Sequence, residues 1–133
     1  MLTIIMEEYF EACTAWRDIP GHEGRYQASN AGGIRSVFGQ APQVKRQRLH
    51  KGYLHVALRV PQKAGPAREV TASVHRLVAL AFIPNDSPDK ALVLHGNGNR
   101  TDNCVSNLRW GTHKENYADA VRHGTAVRMP RAA

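Results

Sequence analysis

Residues 53–60 alternate strictly: Leu54, Val56, Leu58 and Val60 share one face, while Tyr53, His55 and Arg59 share the other. A period of two marks a strand with one side buried. A turn-forming stretch, PQKAGPA, follows, after which Val70, Ala72 and Val74 alternate again. The two runs predict a β-hairpin with polar and basic groups on its outer face. At His75 the period changes. Leu77, Leu80 and Ala81 fall at helical spacing with Val78 and Phe82 beside them, which predicts a helix stopped by Pro84. A further strand fits ALVLH at 91–95, followed by the polar loop GNGNRTDNCVSN and a short strand from Leu108. Thr112 and Glu115 have the spacing of a capping box, so a helix is expected from His113 to about His123, ended by Gly124.

Upstream the pattern is weaker. Ile34, Ser36 and Phe38 alternate into Gly39 as a short strand, and Lys45–His50 reads as a basic strand exposing Lys45, Arg46 and Arg48. Trp16–Asn30, rich in glycine, proline and polar residues, reads as a looped start. Residues 7–13 allow a short helix, and 126–133 read as a loose tail. Neither an internal repeat nor a low-complexity tract interrupts this order.

The chain of 133 residues is the size of one domain, or of two small modules sharing a core. With 42% hydrophobic and 22% charged residues it is neither collagen-like nor disordered. No apolar run approaches the ~18–20 residues of a membrane span. The opening MLTIIMEEYFEAC lacks a basic lead and soon turns acidic, unlike a secretory signal. Cys13 and Cys104 form neither a disulfide framework nor a zinc motif. A cytoplasmic protein with free thiols is expected. Charge is unevenly spread: of the net +7, residues 30–76 carry +8, while residues 1–29 carry −3. Such a block attracts a polyanion, although a basic face can also serve solubility alone.

Residues 91–116 thus read strand, loop, strand, helix, with His95 ending the first strand and Asn116 in the first turns of the helix. A neutral imidazole can act as a general base, and an amide oxygen is a hard ligand suited to Mg²⁺. Together they suffice for metal-assisted phosphodiester hydrolysis. Taken singly, a strand-terminal histidine is more commonly structural and a helical asparagine commonly faces solvent.

VHRLVALAFIPN, followed by VLHGNGNRTDNCVSNLRWGTHKEN, resembles the HNH endonucleases within the ββα-metal (His-Me finger) nucleases. His95 precedes Asn107 by 12 residues and Asn116 by 21, similar to the group's His, Asn, His-or-Asn pattern in the version ending in Asn. Upstream, WRDIPGHEGRYQASNAGGIRS resembles the nuclease-associated module of phage intron-encoded homing endonucleases. The likeness covers about residues 16–125.

The resemblance implies an α+β fold, a small antiparallel β DNA-binding module followed by a ββα-metal nuclease core. It divides the chain into an N-terminal segment 1–15, a basic β module 16–68, a nuclease domain 69–125 and a tail 126–133. By position, His95 matches the general base, Asn116 a ligand of one divalent metal ion (Mg²⁺ or Mn²⁺), and Asn107 the residue that pins the loop. The implied reaction is hydrolysis of double-stranded DNA to a 5′-phosphate and a 3′-hydroxyl. Homing members usually carry Asp immediately before the base as a second ligand, and this chain has Leu94. Asp102, Asn97 and Asn103 are loop groups that can be asked to substitute. His75 and His113 are possible auxiliary residues, His75 as a phosphate contact or a packing residue and His113 as a ligand. Arg35, Lys45, Arg46, Arg48, Lys51 and Arg59 are the candidate phosphate contacts. Trp110 and Leu108 are expected in the core, as are Tyr26 and Trp16. The chain stops soon after the nuclease helix, so the extra C-terminal DNA-binding helices of some homing enzymes are not expected. A monomer with one site would nick, and a homodimer would supply two sites. The rival readings are a DNA-binding protein with a degenerate site, which Leu94 favours, and an RNA-binding or RNA-cleaving module, which rests on charge alone.

Overall fold

A computed structural model describes residues 14–85 and 87–124, so the short helix expected at 7–13 and the tail from 126 lie outside the described residues. In chain order the elements are β1 (Trp16–Asp18), β2 (Tyr26–Ser29), β3 (Ile34–Ser36), β4 (Gln43–Val44), β5 (Arg48–His50), β6 (Tyr53–Val60), β7 (Arg68–Ser73), α1 (Val74–Phe82), β8 (Leu92–His95), a 3₁₀ turn (Val105–Asn107), β9 (Leu108–Gly111) and α2 (His113–Arg122). They form three antiparallel sheets, ordered β1-β2-β3-β4, β5-β6-β7 and β8-β9. The α+β class expected from the sequence is what the chain adopts, with α2 following the last hairpin.

The strongest period-two segment behaves as its pattern dictates. In β6 Val56 and Leu58 are buried, and the strand pairs with β7 from His55↔Ser73 to Val60↔Arg68. Four expectations are corrected. Trp16–Asn30 is not a loop: β1 pairs with β2, because Tyr26 and Ala28 bury alternate positions and the Tyr26 hydroxyl accepts from the Arg59 N–H at 2.9 Å. Lys45–His50 is not one strand. The chain leaves the first sheet after Val44 and enters the second at Arg48, and between them the Gln47 side chain donates to the Gly32 carbonyl at 2.9 Å. Val74 does not extend β7 but opens α1, since strand passes directly into helix. Leu80 is exposed, whereas Val74, Leu77, Val78 and Ala79 are buried. Helix α1 contacts strands of all three sheets, so its covered face is centred on 77–79 rather than on 77, 80 and 81.

One hydrophobic cluster runs through both halves of the chain. Ile19, Tyr26 and Ile34 from the first sheet meet Val56 and Leu58, α1, and Val93, Leu108 and Trp110 of the last hairpin. Trp110 and Leu108 are core residues as expected, and the Trp110 indole N–H donates to the Ile83 carbonyl at 2.8 Å. At the start of α2 the Glu115 N–H donates to Thr112 Oγ1 at 3.1 Å, while the Glu115 carboxylate turns to the Thr112 hydroxyl rather than to its backbone N–H.

The β8-β9 hairpin is tightly fitted at one point. A Cβ on Gly111 would overlap the Leu94 side chain. Gly111→Ala is therefore expected to lower stability by ~1–3 kcal/mol, the range for overpacking a close-fitted site. Urea unfolding checks this, and the cost of Gly111→Ala should shrink when measured in a Leu94→Ala background, where the overlapping side chain is gone.

Candidate active site

His95 closes β8 and is only 8% exposed. Its Nε2 lies 2.7 Å from Asn103 Oδ1. Burial holds the imidazole below its usual 6.5, against the opposing influence of the Asn103 hydrogen bond and the Asp102 charge. The ring is thus neutral near pH 7, the state a general base requires. The rings of His75 and Tyr53 lie 5.1 and 6.2 Å from it, and the Arg100 guanidinium covers Tyr53 at 4.9 Å.

His75 sits in the first turn of α1 with its Nδ1 buried and unpartnered. Burial first, then the charges of His95, His55 and Arg76, push its pKa down to about 4. Near pH 7 it is a neutral ring and offers a phosphate no charge. The folded pKa lies below the unfolded value, so between the two the unfolded chain binds more protons. The stability this confers is complete above 6.5 and is lost as pH falls toward about 4. Unfolding measured at pH 7 and pH 4 should reveal a loss of about 1–2 kcal/mol specific to this ring. The shift alone corresponds to roughly 3 kcal/mol, reduced here because solvent reaches a half-buried side chain. The loss should be missing from His75→Gln.

The loop after His95 is held by Asn107. Its Oδ1 accepts from the Asn97 N–H at 3.0 Å, and its Nδ2 donates to Asn97 Oδ1 at 3.0 Å and to the Asp102 carbonyl at 2.9 Å. The Gly96 N–H donates to the Asn107 carbonyl at 2.7 Å, so both arms of the loop are tied at this one residue. The loop groups considered as replacements for a carboxylate at 94 are already engaged. Asp102 accepts from the Asn97 amide at 3.0 Å and from the Cys104 N–H at 3.4 Å, and Asn103 faces His95. Leu94 itself is 3% exposed and packs against Gly111.

Asn116 lines a cleft of ≈ 120 Å³ with His95, Tyr53, Arg100, Asp119 and His123. The Asn116 side chain is exposed and has no hydrogen-bond partner among the described residues. His113 is also exposed but does not line this cleft. Asp119 is buried, and its carboxylate accepts from Arg109 at 2.6 Å and from Arg122. The His123 ring donates to the Gly96 carbonyl at 3.1 Å and fills the space above Gly98. Sequence reasoning missed Tyr53, Arg100, Asp119 and His123. The last two had a signal, because 116, 119 and 123 follow helical spacing.

No three His, Cys, Asp or Glu side chains converge among the described residues, which argues against a zinc-type site. The donor chemistry fits a different ion. Asn116 offers one neutral oxygen, Leu94 offers none, and Asp119 is already satisfied by two guanidiniums. One neutral oxygen is compatible with a hard divalent cation that keeps most of its waters.

Basic residues line a groove separate from this cleft. Arg46, Arg48, Lys51 and Arg59 are exposed, and Lys45 is half-buried. Lys45, Arg46 and Arg48 line a groove of ≈ 720 Å³ with His50, His55 and Thr71. The Lys51–Gly52 turn brings the end of β5 against Arg100, since a Cβ on Gly52 would lie 3.1 Å from its guanidinium. Arg35 is occupied, donating from Nε and Nη2 to Gln27 Oε1 at 2.9 and 2.6 Å and stacking over Trp16.

A strand pair and helix presenting His95 and Asn116 across one cleft, with loop-tying Asn107 between them, is the arrangement of a ββα nuclease. Residues 72–118 match the family described as HNH endonuclease, and residues 15–59 match the NUMOD4 motif. An HNH endonuclease domain thus spans residues 72–118, preceded by a NUMOD4 motif at 15–59. The chain is similar to DNA endonuclease I-HmuI of Bacillus phage SP01, 38% identical over 111 residues, covering 83% of this chain and 59% of that protein. It is also 34% identical over 120 residues to the uncharacterized HNH endonuclease L247 of Acanthamoeba polyphaga mimivirus, covering 88% of this chain and 28% of that one. A solved structure described as DNA binding and cleavage by the HNH homing endonuclease I-HmuI superimposes with a TM-score of 0.69 at 34% identity. The superposition covers 86% of this chain and 62% of that one. The chain thus spans about three fifths or less of the length of these relatives. Enzymes of this family generally depend on a divalent metal. Among the described residues no helix is long and apolar enough to cross a membrane.

Proposed function

We propose that the chain is a metal-dependent endonuclease of double-stranded DNA, cutting one strand per site in the cytoplasm of a bacterial or phage-infected cell. The observation that carries this reading is the cleft itself. A buried, neutral His95 lines one cleft with Asn116, whose side chain has no partner among the described residues, and Arg and Lys line a separate groove along β5. In the proposed mechanism, phosphates track the groove along β5 and enter the cleft past Arg100. His95 takes a proton from the attacking water, and Asn107 keeps the loop from drawing the ring away. An Mg²⁺ or Mn²⁺ ion held at Asn116 would supply charge neutralisation at the scissile phosphate and the leaving oxygen. Attack with the 3′ oxygen leaving yields a 5′-phosphate and a 3′-hydroxyl. The division into a basic module at 16–68 and a nuclease domain at 69–125 belongs to this proposal, the former gripping and the latter cutting. His113 and Asp102 have no part in the reaction as proposed, and His75 acts as a neutral wall of the site.

Cleavage of an end-labelled duplex in Mg²⁺ and in EDTA, beside single-stranded DNA and RNA, tests the reading. Metal-dependent cuts in the duplex support it, and cutting of RNA alone overturns it. Binding should weaken steeply with salt, and Arg46→Ala with Arg48→Ala should flatten the log–log slope by about one to two. An unchanged slope would remove β5 from the DNA path. Leu94 favours a second reading, a DNA-binding protein with a degenerate site, because the buried leucine brings no donor to the cleft.

A further inference from the structure

The two nitrogens of the His95 ring have different surroundings. Nε2 faces Asn103 Oδ1 at 2.7 Å, and both side chains are buried, at 8% and 4% exposure. An amide oxygen only accepts, so the nitrogen facing it carries the proton and Nδ1 keeps its lone pair. Asn103 in turn is clamped from outside its own loop. The Val105 N–H donates to the Asn30 carbonyl at 2.9 Å, and Cys104 Sγ lies 3.7 Å from the Ala31 carbonyl. Gly32, at φ +93, lies so close that a Cβ would sit 3.1 Å from the carbonyl carbon, carbonyl oxygen and Cβ of Asn103. Only glycine combines that backbone conformation with that approach.

We propose that Asn103 is the positioning residue for His95, setting the ring tautomer that leaves Nδ1 as the free nitrogen, and that the β2–β3 turn of the upstream module holds Asn103 in place. The consequence for cleavage rests on His95 being the general base; the tautomer itself does not. The upstream module then does more than grip DNA, because its turn decides which nitrogen of the base is available. Without an acceptor at 103 the ring loses its preferred tautomer, and a fraction of molecules carry the proton where the lone pair is needed.

Ring ¹⁵N spectra of the full chain labelled at histidine test this, with the His95 signals assigned through His95→Gln. Wild type is expected as the Nε2–H tautomer. Asn103→Leu, which keeps the volume and removes the acceptor, is expected to give mixed tautomers and ~10–100-fold slower cleavage. Asn103→Asp restores an acceptor and should keep Nε2–H. Gly32→Ala should move the His95 ring signals toward those of Asn103→Leu. A wild-type ring protonated at Nδ1, or Asn103→Leu retaining a pure Nε2–H ring, would overturn the assignment. Gly32→Ala leaving those signals unmoved would overturn the clamp. Should Asn103→Leu fail to fold, wild type against Asn103→Asp decides. A carboxylate facing Nε2–H moves that proton downfield, and an unmoved proton contradicts the contact. Failure to cleave DNA would count against the nuclease reading and leave these spectra to judge Asn103 independently.

Discussion

His95→Ala is expected to slow DNA cleavage by ~10²–10⁴-fold, the contribution of a positioned general base. His95 is covered by the Tyr53 and His75 rings and by the loop that Asn107 ties, so its ring is fixed in place and kept neutral near pH 7. Among the described residues no neighbour is ready to replace it: the His75 ring lies 5.1 Å away, but its pKa near 4 makes it a far weaker base. Single-turnover cleavage of a duplex at saturating protein measures the loss. DNA binding should survive, since the basic groove is lined by other elements. The wild-type rate should rise with pH and level off below the usual imidazole value of 6.5, because burial lowers the pKa of His95. A rate reduced less than tenfold in His95→Ala would move the base elsewhere.

Asn116→Ala carries the second large effect. Among the described residues this side chain is the free amide lining the cleft with His95, and neither Leu94 nor the doubly paired Asp119 can make good its loss. The Mg²⁺ concentration for half-maximal cleavage is expected to rise at least ~10–100-fold, as for loss of support at a metal site. A metal titration of the cleavage rate reads this directly. Helix α2 should remain intact, because Asn116 is exposed and the Thr112 cap lies before it. An unchanged metal requirement would remove Asn116 from the ligand shell.

How much of this was legible in the chain depended on how local the determinants were. The β6-β7 hairpin was readable because its eight-residue alternation repeats often enough to be unambiguous. β1 and β2 were not, since three or four residues among glycines carry no period. What makes them strands is distant: Tyr26 reaches the backbone of Arg59. Leu80 was misplaced because a helix between sheets has its covered face chosen by its neighbours. His95, Asn107 and Asn116 stood out through the resemblance of their spacing to the HNH pattern, not through spacing alone. Asn103, Tyr53 and Arg100 did not, because their roles come from folding the loop and the β5–β6 turn onto the base. Arg35 looked like a free phosphate contact, yet its partners Gln27 and Trp16 come from neighbouring strands.

Leu94 is where the family pattern and this chain part, and it sets the central question of whether one amide oxygen suffices. The most direct measurement is conversion of supercoiled plasmid by the wild-type protein in Mg²⁺ or Mn²⁺, with EDTA as control. Metal-dependent conversion to open circles, abolished by EDTA, is the expected result. Salt-sensitive binding to the plasmid with no conversion in either metal would contradict it, and would leave a DNA-binding protein built on a nuclease fold.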